Sequence, residues 1–284
     1  MRPNACQDAA IVDPMRVAVL GLGAIGTLVT RTLDGHASVV CVDRTKAPLN
    51  GSVEPVDIAI VATKSQGTAW AADTASRVLA KHGTVLTIQN GLGHRERLAA
   101  TLGDDRVAVG VIYVGAALEG GQLRTTGPGR VELERARHVD ELAAALQAGG
   151  MSAAVVDDPW PSVWRKLVGN AAVNPVSALV GITNGELLEH LASRIVDRAA
   201  KEAARVASAE GVPIGADEAV ALWRKMAELT ASNRSSMLQD VRRGRPTEID
   251  WINGEIVRRG RQHSVPTPVN DALLQLLEVV EAYP

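Results

Sequence analysis

Short, wholly apolar runs alternate with stretches of helical periodicity over the first half of the chain, and after that the strand-like runs stop. Arg16–Leu20, Val39–Val42, Asp57–Ala62 and Thr84–Ile88 are too short for helices and apolar on both faces, which is the pattern of strands buried in a parallel sheet. Helical periodicity follows the first of them through Val29 and Leu33, and returns at 67–80 and Asp140–Ala148. Val107–Val114 reads as a further strand, Gln122–Thr126 and Arg130–Leu133 as an antiparallel pair joined at Gly127-Pro-Gly129, and Ala153–Val156 as the last strand. Residues 45–55, with Pro48, Gly51 and Pro55, read as a loop too short for a crossover helix and another strand. Beyond Asp157-Asp158-Pro159 everything reads as helix: Trp160 to about Val180 with a kink at Pro175, a short helix opening at Asn184, then Ala192–Glu210, Asp217–Thr230, Ser236–Arg243, Glu248–Arg259 and Pro268–Ala282. The pattern predicts an α/β chain: a Rossmann-type dinucleotide-binding domain over 1–158 and an all-helical domain over 159–284. Residues 1–14 carry no pattern and read as a disordered extension before Met15.

The first strand runs into Gly21-Leu22-Gly23-Ala24-Ile25-Gly26 and then a helix, the context that the G-x-G-x-x-G motif requires. Gly21 permits the tight turn, Gly23 lets backbone approach a pyrophosphate, and Gly26 lets helix pack on strand; the free N–H groups of the helix face the phosphates. A glycine turn without a ligand is the alternative. The second strand ends at Asp43-Arg44, where an acid suits the ribose hydroxyls of NAD and an arginine suits the 2′-phosphate of NADP. With both present, either cofactor stays open at this point. Lys64 and Asn90 follow the third and fourth strands, at the carboxyl ends where open parallel sheets bind ligands. A surface lysine and a turn-forming Asn-Gly pair are the plain readings of the same residues.

On the helix that opens the second half, Lys166, Asn170 and Asn174 recur at i, i+4 and i+8 among Trp164, Leu167, Val168, Ala171, Ala172 and Val173. Each step of four rotates only about 40°, so the three side chains form one polar stripe. Polar groups on an apolar helix must be paired or face a cavity, and an ammonium with two amides suits a small acid bearing carbonyl and hydroxyl groups. Ser236 can cap its helix or bond a carboxylate, and Glu248 stands near a helix start where an acid is favourable on dipole grounds alone.

Composition narrows the field without redirecting it. At 284 residues and 46% hydrophobic, the chain can hold two cores. A formal net charge of −2 excludes an electrostatic nucleic-acid binder, and no apolar run approaches the length of a membrane span. Two distant cysteines, Cys6 and Cys41, build no disulfide framework and fit a reducing cytoplasm, with Cys41 expected to be a buried thiol. No cluster of His, Cys, Asp and Glu suggests a metal site. Only six lysines occur, and two of them, Lys64 and Lys166, fall in the stretches above.

Taken together, these stretches resemble the ketopantoate reductase (2-dehydropantoate 2-reductase) family. The matching pieces are Gly21–Gly26, Lys64, Gln89-Asn90-Gly91, Trp164–Pro175, Thr183–Leu187, and Ser236-Met-Leu-Gln-Asp240 with Thr247-Glu-Ile-Asp250. The resemblance implies NADPH-dependent reduction of 2-dehydropantoate to (R)-pantoate on the way to pantothenate and coenzyme A. It also implies a helical domain like the C-terminal one of 6-phosphogluconate dehydrogenase. Lys166 matches the catalytic lysine, with Glu248 also assigned to catalysis. Asn90, Asn170, Asn174, Asn184 and Ser236 match substrate-binding positions. Lys64, Asn90, Ala116 and Glu248 match cofactor contacts, and Arg44 aligns with the arginine that meets the 2′-phosphate. NADP(H) is therefore favoured, although Asp43 keeps NAD(H) open. The expected partner is a small 2-oxo acid, with no nucleic acid or membrane, and a homodimer is open. Two rivals remain: an NADH-dependent reductase of another branched 2-oxo acid, of the mandelate dehydrogenase type, and a non-catalytic dinucleotide sensor.

Overall fold

The computed structural model describes residues 14–44 and 54–283. The expected N-terminal extension apart from its last residue, Cys6, and positions 45–53 of the expected loop lie outside the described residues. Strands β1 (Arg16–Leu20), β2 (Ser38–Val42), β3 (Val56–Val61), β4 (Leu79–Thr87) and β5 (Val107–Tyr113) pair in parallel. They share one seven-stranded sheet with β8 (Arg130–Glu134) and β9 (Ser152–Val156), in the order β2-β1-β3-β4-β5-β8-β9. Along β1, Val17 and Val19 face α1 (Ala24–Leu33) and α4 (Val139–Ala148), while Ala18 and Leu20 face α2 (Thr68–Val78) and α3 (His94–Leu102). Coverage of both faces is the reason these strands are apolar throughout. Because β2 lies on one side of β1 and β3 on the other, the winding reverses between β1 and β3, and a crevice opens at the carboxyl ends of those strands.

Several local expectations are corrected. Gln122–Thr126 and Arg130–Leu133 do not pair with each other. Instead β7 (Gln122–Thr125) pairs with β6 (Ala116–Glu119) in a separate two-stranded ribbon, and β8 pairs antiparallel with β5. The ribbon closes on Gly120-Gly121, both at positive φ as a tight hairpin requires. Val131 and Leu133 are fully buried on the main sheet, whereas β7 is mostly exposed, so burial separates two strands that local sequence placed side by side. The α3 helix, with its weak apolar face, escaped the periodicity reading altogether. β4 starts five residues earlier than its apolar run. Cys41 is exposed rather than buried, because β2 is the edge of the sheet.

After β9 the described residues form helices only: α5 (Trp160–Val180), α6 (Ser193–Ala209), α7 (Ala216–Leu229), α8 (Ser236–Val241), α9 (Glu255–Gln262) and α10 (Pro268–Ala282). α5 is the hub, packed by α6, α7, α8 and α10. Its apolar cluster extends to Leu92, Val109 and Val111 of the sheet layer, which seats the helices against the ends of β4 and β5. Pro175 lies inside α5 and has no N–H to give the carbonyl four residues before it. That carbonyl, Ala171 O, accepts instead from Asn253 Nδ2 at 2.9 Å. Asn253 lies in a wide π-type turn, Asp250–Gly254, that interrupts the expected Glu248–Arg259 helix. Asn253 Nδ2 also meets Asn270 Oδ1 at 3.0 Å, and Asn270 is held by the buried Glu202, which accepts from Val269 N and Asn270 N at the start of α10.

Candidate active site

The glycine turn has the geometry that its sequence asked for. Gly21 takes φ +99°, and a Cβ on Gly26 would lie 1.9 Å from Gly21 O, so helix and turn are pressed together. At Gly23 a Cβ would meet nothing within 4 Å. Gly23 starts α1 without a side-chain cap, and no acid lies in the first turn, so no side chain there answers the leading N–H groups of this ten-residue helix. These residues fit a dinucleotide pyrophosphate. Leu22, Ala24 and Ile25 complete the turn. Asp43 is half-buried and Arg44 exposed just beyond β2, and Ala116 opens β6 beyond β5.

The carboxyl ends of β3 and β4 are tied to the helical half by hydrogen bonds. Lys64 Nζ pairs with Asp240, a carboxylate only 3% exposed that also takes Arg245 at 3.1 Å. Burial pushes the Asp240 carboxyl above the ordinary range, and Lys64 opposes that push. Ser65 gives Glu248 Oε1 both its N–H at 3.0 Å and its hydroxyl at 2.6 Å, and Gln66 donates to Thr247 O at 2.6 Å. On the β4 side, Gly91 takes φ +94°, and a Cβ there would stand 2.3 Å from Trp251 O. The Asn90-Gly91 pair is thus a turn against which the helical half packs closely.

Lys166, Asn170 and Asn90 line one solvent-open cleft, walled by Val109, Val111 and Val163 among others. The lysine residue keeps part of its surface exposed, but its Nζ turns inward to donate to Ile112 O at 2.7 Å, 5.9 Å from the centre of the Tyr113 ring. Burial lowers its pKa to about 8, with Glu248 pulling the other way. An ammonium in such surroundings is still charged at pH 7 and is a stronger acid than an ordinary lysine.

The other expected residues are spread further out. Asn174 is buried one turn beyond Asn170 and does not line the cleft. Asn184 donates from Nδ2 to Thr230 Oγ1 at 2.9 Å, and its buried Oδ1 has no partner among the described residues. The backbone of Asn184 bonds Asn233, whose amide lies 2.8 Å from where a Cβ on Gly115 would sit, so this corner faces the β5–β6 loop. Ser236 is exposed and does not cap α8. The cap is Ser235, which accepts from Leu238 N at 3.1 Å, because the helix begins one residue earlier than a Ser236 cap would require. Asp240, Ser65, Gln66, His94 and Trp251 have no role legible in the sequence, because each has at least one partner more than 20 residues away in the chain. Among the described residues no cluster that could hold a metal ion occurs, and no helix is long and apolar enough to cross a membrane.

A phosphate-ready glycine turn at the switch point of a doubly wound sheet, facing a helical half that carries a lysine with lowered pKa, defines a dinucleotide-dependent oxidoreductase. Two family models match the chain: "Ketopantoate reductase PanE/ApbA" over residues 46–138 and "Ketopantoate reductase PanE/ApbA C terminal" over residues 159–281. The chain belongs to the ketopantoate reductase family. A 2-dehydropantoate 2-reductase of Halobacterium salinarum is 36% identical, covering 94% of this chain and 99% of that protein. Among solved structures, a PanE/ApbA family ketopantoate reductase from Ralstonia eutropha is 31% identical with a TM-score of 0.85, covering 94% of this chain and 99% of that one. A D-mandelate dehydrogenase with NADH and anilino(oxo)acetate is 25% identical with a TM-score of 0.85, covering 94% of this chain and 98% of that one.

Proposed function

We propose that this chain reduces 2-dehydropantoate to (R)-pantoate with NADPH, using Lys166 as general acid, as a step toward pantothenate and coenzyme A. The observation that carries the reading is an inward-turned ammonium of lowered pKa in one cleft with Asn90 and Asn170. In this reading residues 1–158 hold the nucleotide, through Gly21–Gly26, Arg44, Lys64, Asn90 and Ala116, with Glu248 added from the helical half. Residues 159–284 supply the catalytic lysine and most of the substrate contacts. When bound, the reduced nicotinamide supplies a hydride to the keto carbon. As negative charge builds on the keto oxygen, Lys166 Nζ stabilises it and delivers a proton, after which the neutral amine is recharged from water. Such acid help is worth roughly 10²–10⁴-fold. Lysine suits the role because an arginine effectively never releases its proton. Asn90, Asn170 and Ser236 hold the carboxylate and hydroxyls, the unpartnered Asn184 Oδ1 is an acceptor suited to a substrate hydroxyl, and the buried Asn174 lies behind the cleft without lining it. Glu248, fastened to Ser65, holds Lys166 toward its charged form. The protein works in the cytoplasm, and a homodimer is compatible with this reading.

Asp43 beside Arg44 supports a second reading, an NADH-dependent reductase of another branched or aryl 2-oxo acid, because an acid at that position repels a 2′-phosphate. Steady-state rates with 2-dehydropantoate and benzoylformate, each with NADPH and with NADH, test both. Preference for 2-dehydropantoate with NADPH is expected. Preference for benzoylformate with NADH would replace the first reading by the second. Nucleotide binding without oxidation of any 2-oxo acid would leave only a sensor.

A further inference from the structure

One buried ionisable side chain outside the residues assigned above touches three of the segments that carry them. His94, the first residue of α3, is 3% exposed. Its ring stacks on that of Trp251 with centroids 4.6 Å apart and planes 6° apart, and the Arg97 guanidinium lies 3.9 Å from the same indole. Its Nε2 is 2.9 Å from Asn90 O and 3.5 Å from Ser65 Oγ. Its Nδ1 is 3.2 Å from Thr68 Oγ1. A carbonyl can only accept, so the short contact to Asn90 O requires the proton on Nε2. The Thr68 hydroxyl has one proton and three acceptors in reach, Ser65 O at 2.7 Å, His94 Nδ1 at 3.2 Å and Gln89 Oε1 at 3.4 Å, and so lies between the ring and the turn that holds Glu248.

The charged groups facing the ring are Glu248 and Glu255 from the helical half and Arg97 from its own helix. Burial is the largest influence and lowers the pKa of His94 below its ordinary value, which leaves the ring neutral at neutral pH. A neutral imidazole with Nε2–H is a rigid, two-ended connector: one nitrogen fixes the loop after β4, the other the turn after β3, and its face fixes both against Trp251.

We infer that His94 is a positioning residue, which sets the Asn90 amide and the Ser65-bound Glu248 carboxylate in one geometry toward substrate and nucleotide. The inference rests on the proposed roles of Asn90 and Glu248. Two substitutions separate it from mere packing. His94→Phe keeps a flat ring for Trp251 but leaves Asn90 O without its donor, whereas His94→Gln gives up the stack but restores an N–H at about the same reach. The expected result for His94→Phe is a kcat/KM for 2-dehydropantoate lowered about tenfold or more, with weaker NADPH binding and a modest drop in thermal midpoint from the unpaired Asn90 O, and recovery of most of the kcat/KM loss in His94→Gln. Equal activity of the Phe variant and the unaltered chain overturns the inference, and so does equal damage by both substitutions. Ring ¹⁵N NMR of the unaltered protein gives a readout independent of turnover. The expected state at neutral pH is the neutral Nε2–H tautomer; an imidazolium or an Nδ1–H tautomer overturns the inference. Should the unaltered chain reduce no 2-oxo acid, the parent reading falls, while the tautomer still decides the role of His94.

Discussion

Replacing Lys166 by methionine should make the protein slower and, below about pH 8, more stable. Methionine fills a similar volume without charge. The folded-state pKa of Lys166, about 8, lies below the ordinary 10.5, and burial is the main cause. Keeping that group protonated at pH 7 therefore costs on the order of 3 kcal/mol relative to water. Against this gain, the variant leaves Ile112 O without its donor, a loss of roughly 1–2 kcal/mol. The net is a stabilisation of about 1–2 kcal/mol, or roughly 2–4 °C in melting temperature per kcal/mol. The sign follows from proton counting. Between about 8 and 10.5 the unfolded chain still binds the proton that the folded one has released, so the unaltered protein gains stability as pH rises through that window. The variant lacks this slope. Its advantage is full below about pH 8, shrinks through the window and gives way above it to the loss of the Ile112 O donor. Activity moves the opposite way: kcat for 2-dehydropantoate should drop about 10²-fold or more, with NADPH binding nearly intact. In the unaltered enzyme kcat should fall as pH rises through about 8, where the proton donor is lost. Thermal melts across pH, together with the absorbance of reduced nicotinamide, read both effects. A variant that turns over within a few-fold of the parent, or is less stable by an amount that does not vary with pH, refutes the reasoning.

Four further substitutions probe other parts of the site and its support. Glu248→Gln removes the carboxylate that raises the Lys166 pKa, so the alkaline fall of kcat should move to lower pH, read from a pH–rate profile. Gly23→Ala meets no atom within 4 Å and should leave the melting temperature unchanged while weakening NADPH binding about tenfold or more by calorimetric titration. Gly26→Ala drives its methyl to 1.9 Å from Gly21 O and should instead destabilise the fold, measured by urea denaturation. Asn253→Leu leaves Ala171 O beside Pro175 without a donor and should lower stability by roughly 1–3 kcal/mol in the same assay.

How much of this was legible in the sequence differs from element to element. The β1–glycine turn–α1 unit could be read directly, because the roles of Gly21 and Gly26 are steric and act within a few residues. The polar stripe on α5 was legible as a spacing, and the structure brings Lys166 and Asn170 into one cleft with Asn90 while burying Asn174 beyond it. Hydrophobic alternation marked the strands but not their partners, and β7 and β8 parted because only one of them has residues to bury in the sheet.

By itself, the sequence determined the two kinds of secondary structure, most of their order, the glycine turn and a lysine on an otherwise apolar helix. Each of these is local: it depends on backbone sterics or on a period of two or 3.6 residues. Tertiary structure alone decided that Lys64 meets Asp240, that Ser65 meets Glu248, that Asn253 covers the carbonyl beside Pro175, and that Lys166 is an ammonium weakened by burial. Those partners stand more than 50 residues apart, and a pKa depends on which atoms surround a charge; neither leaves a periodic trace in the chain.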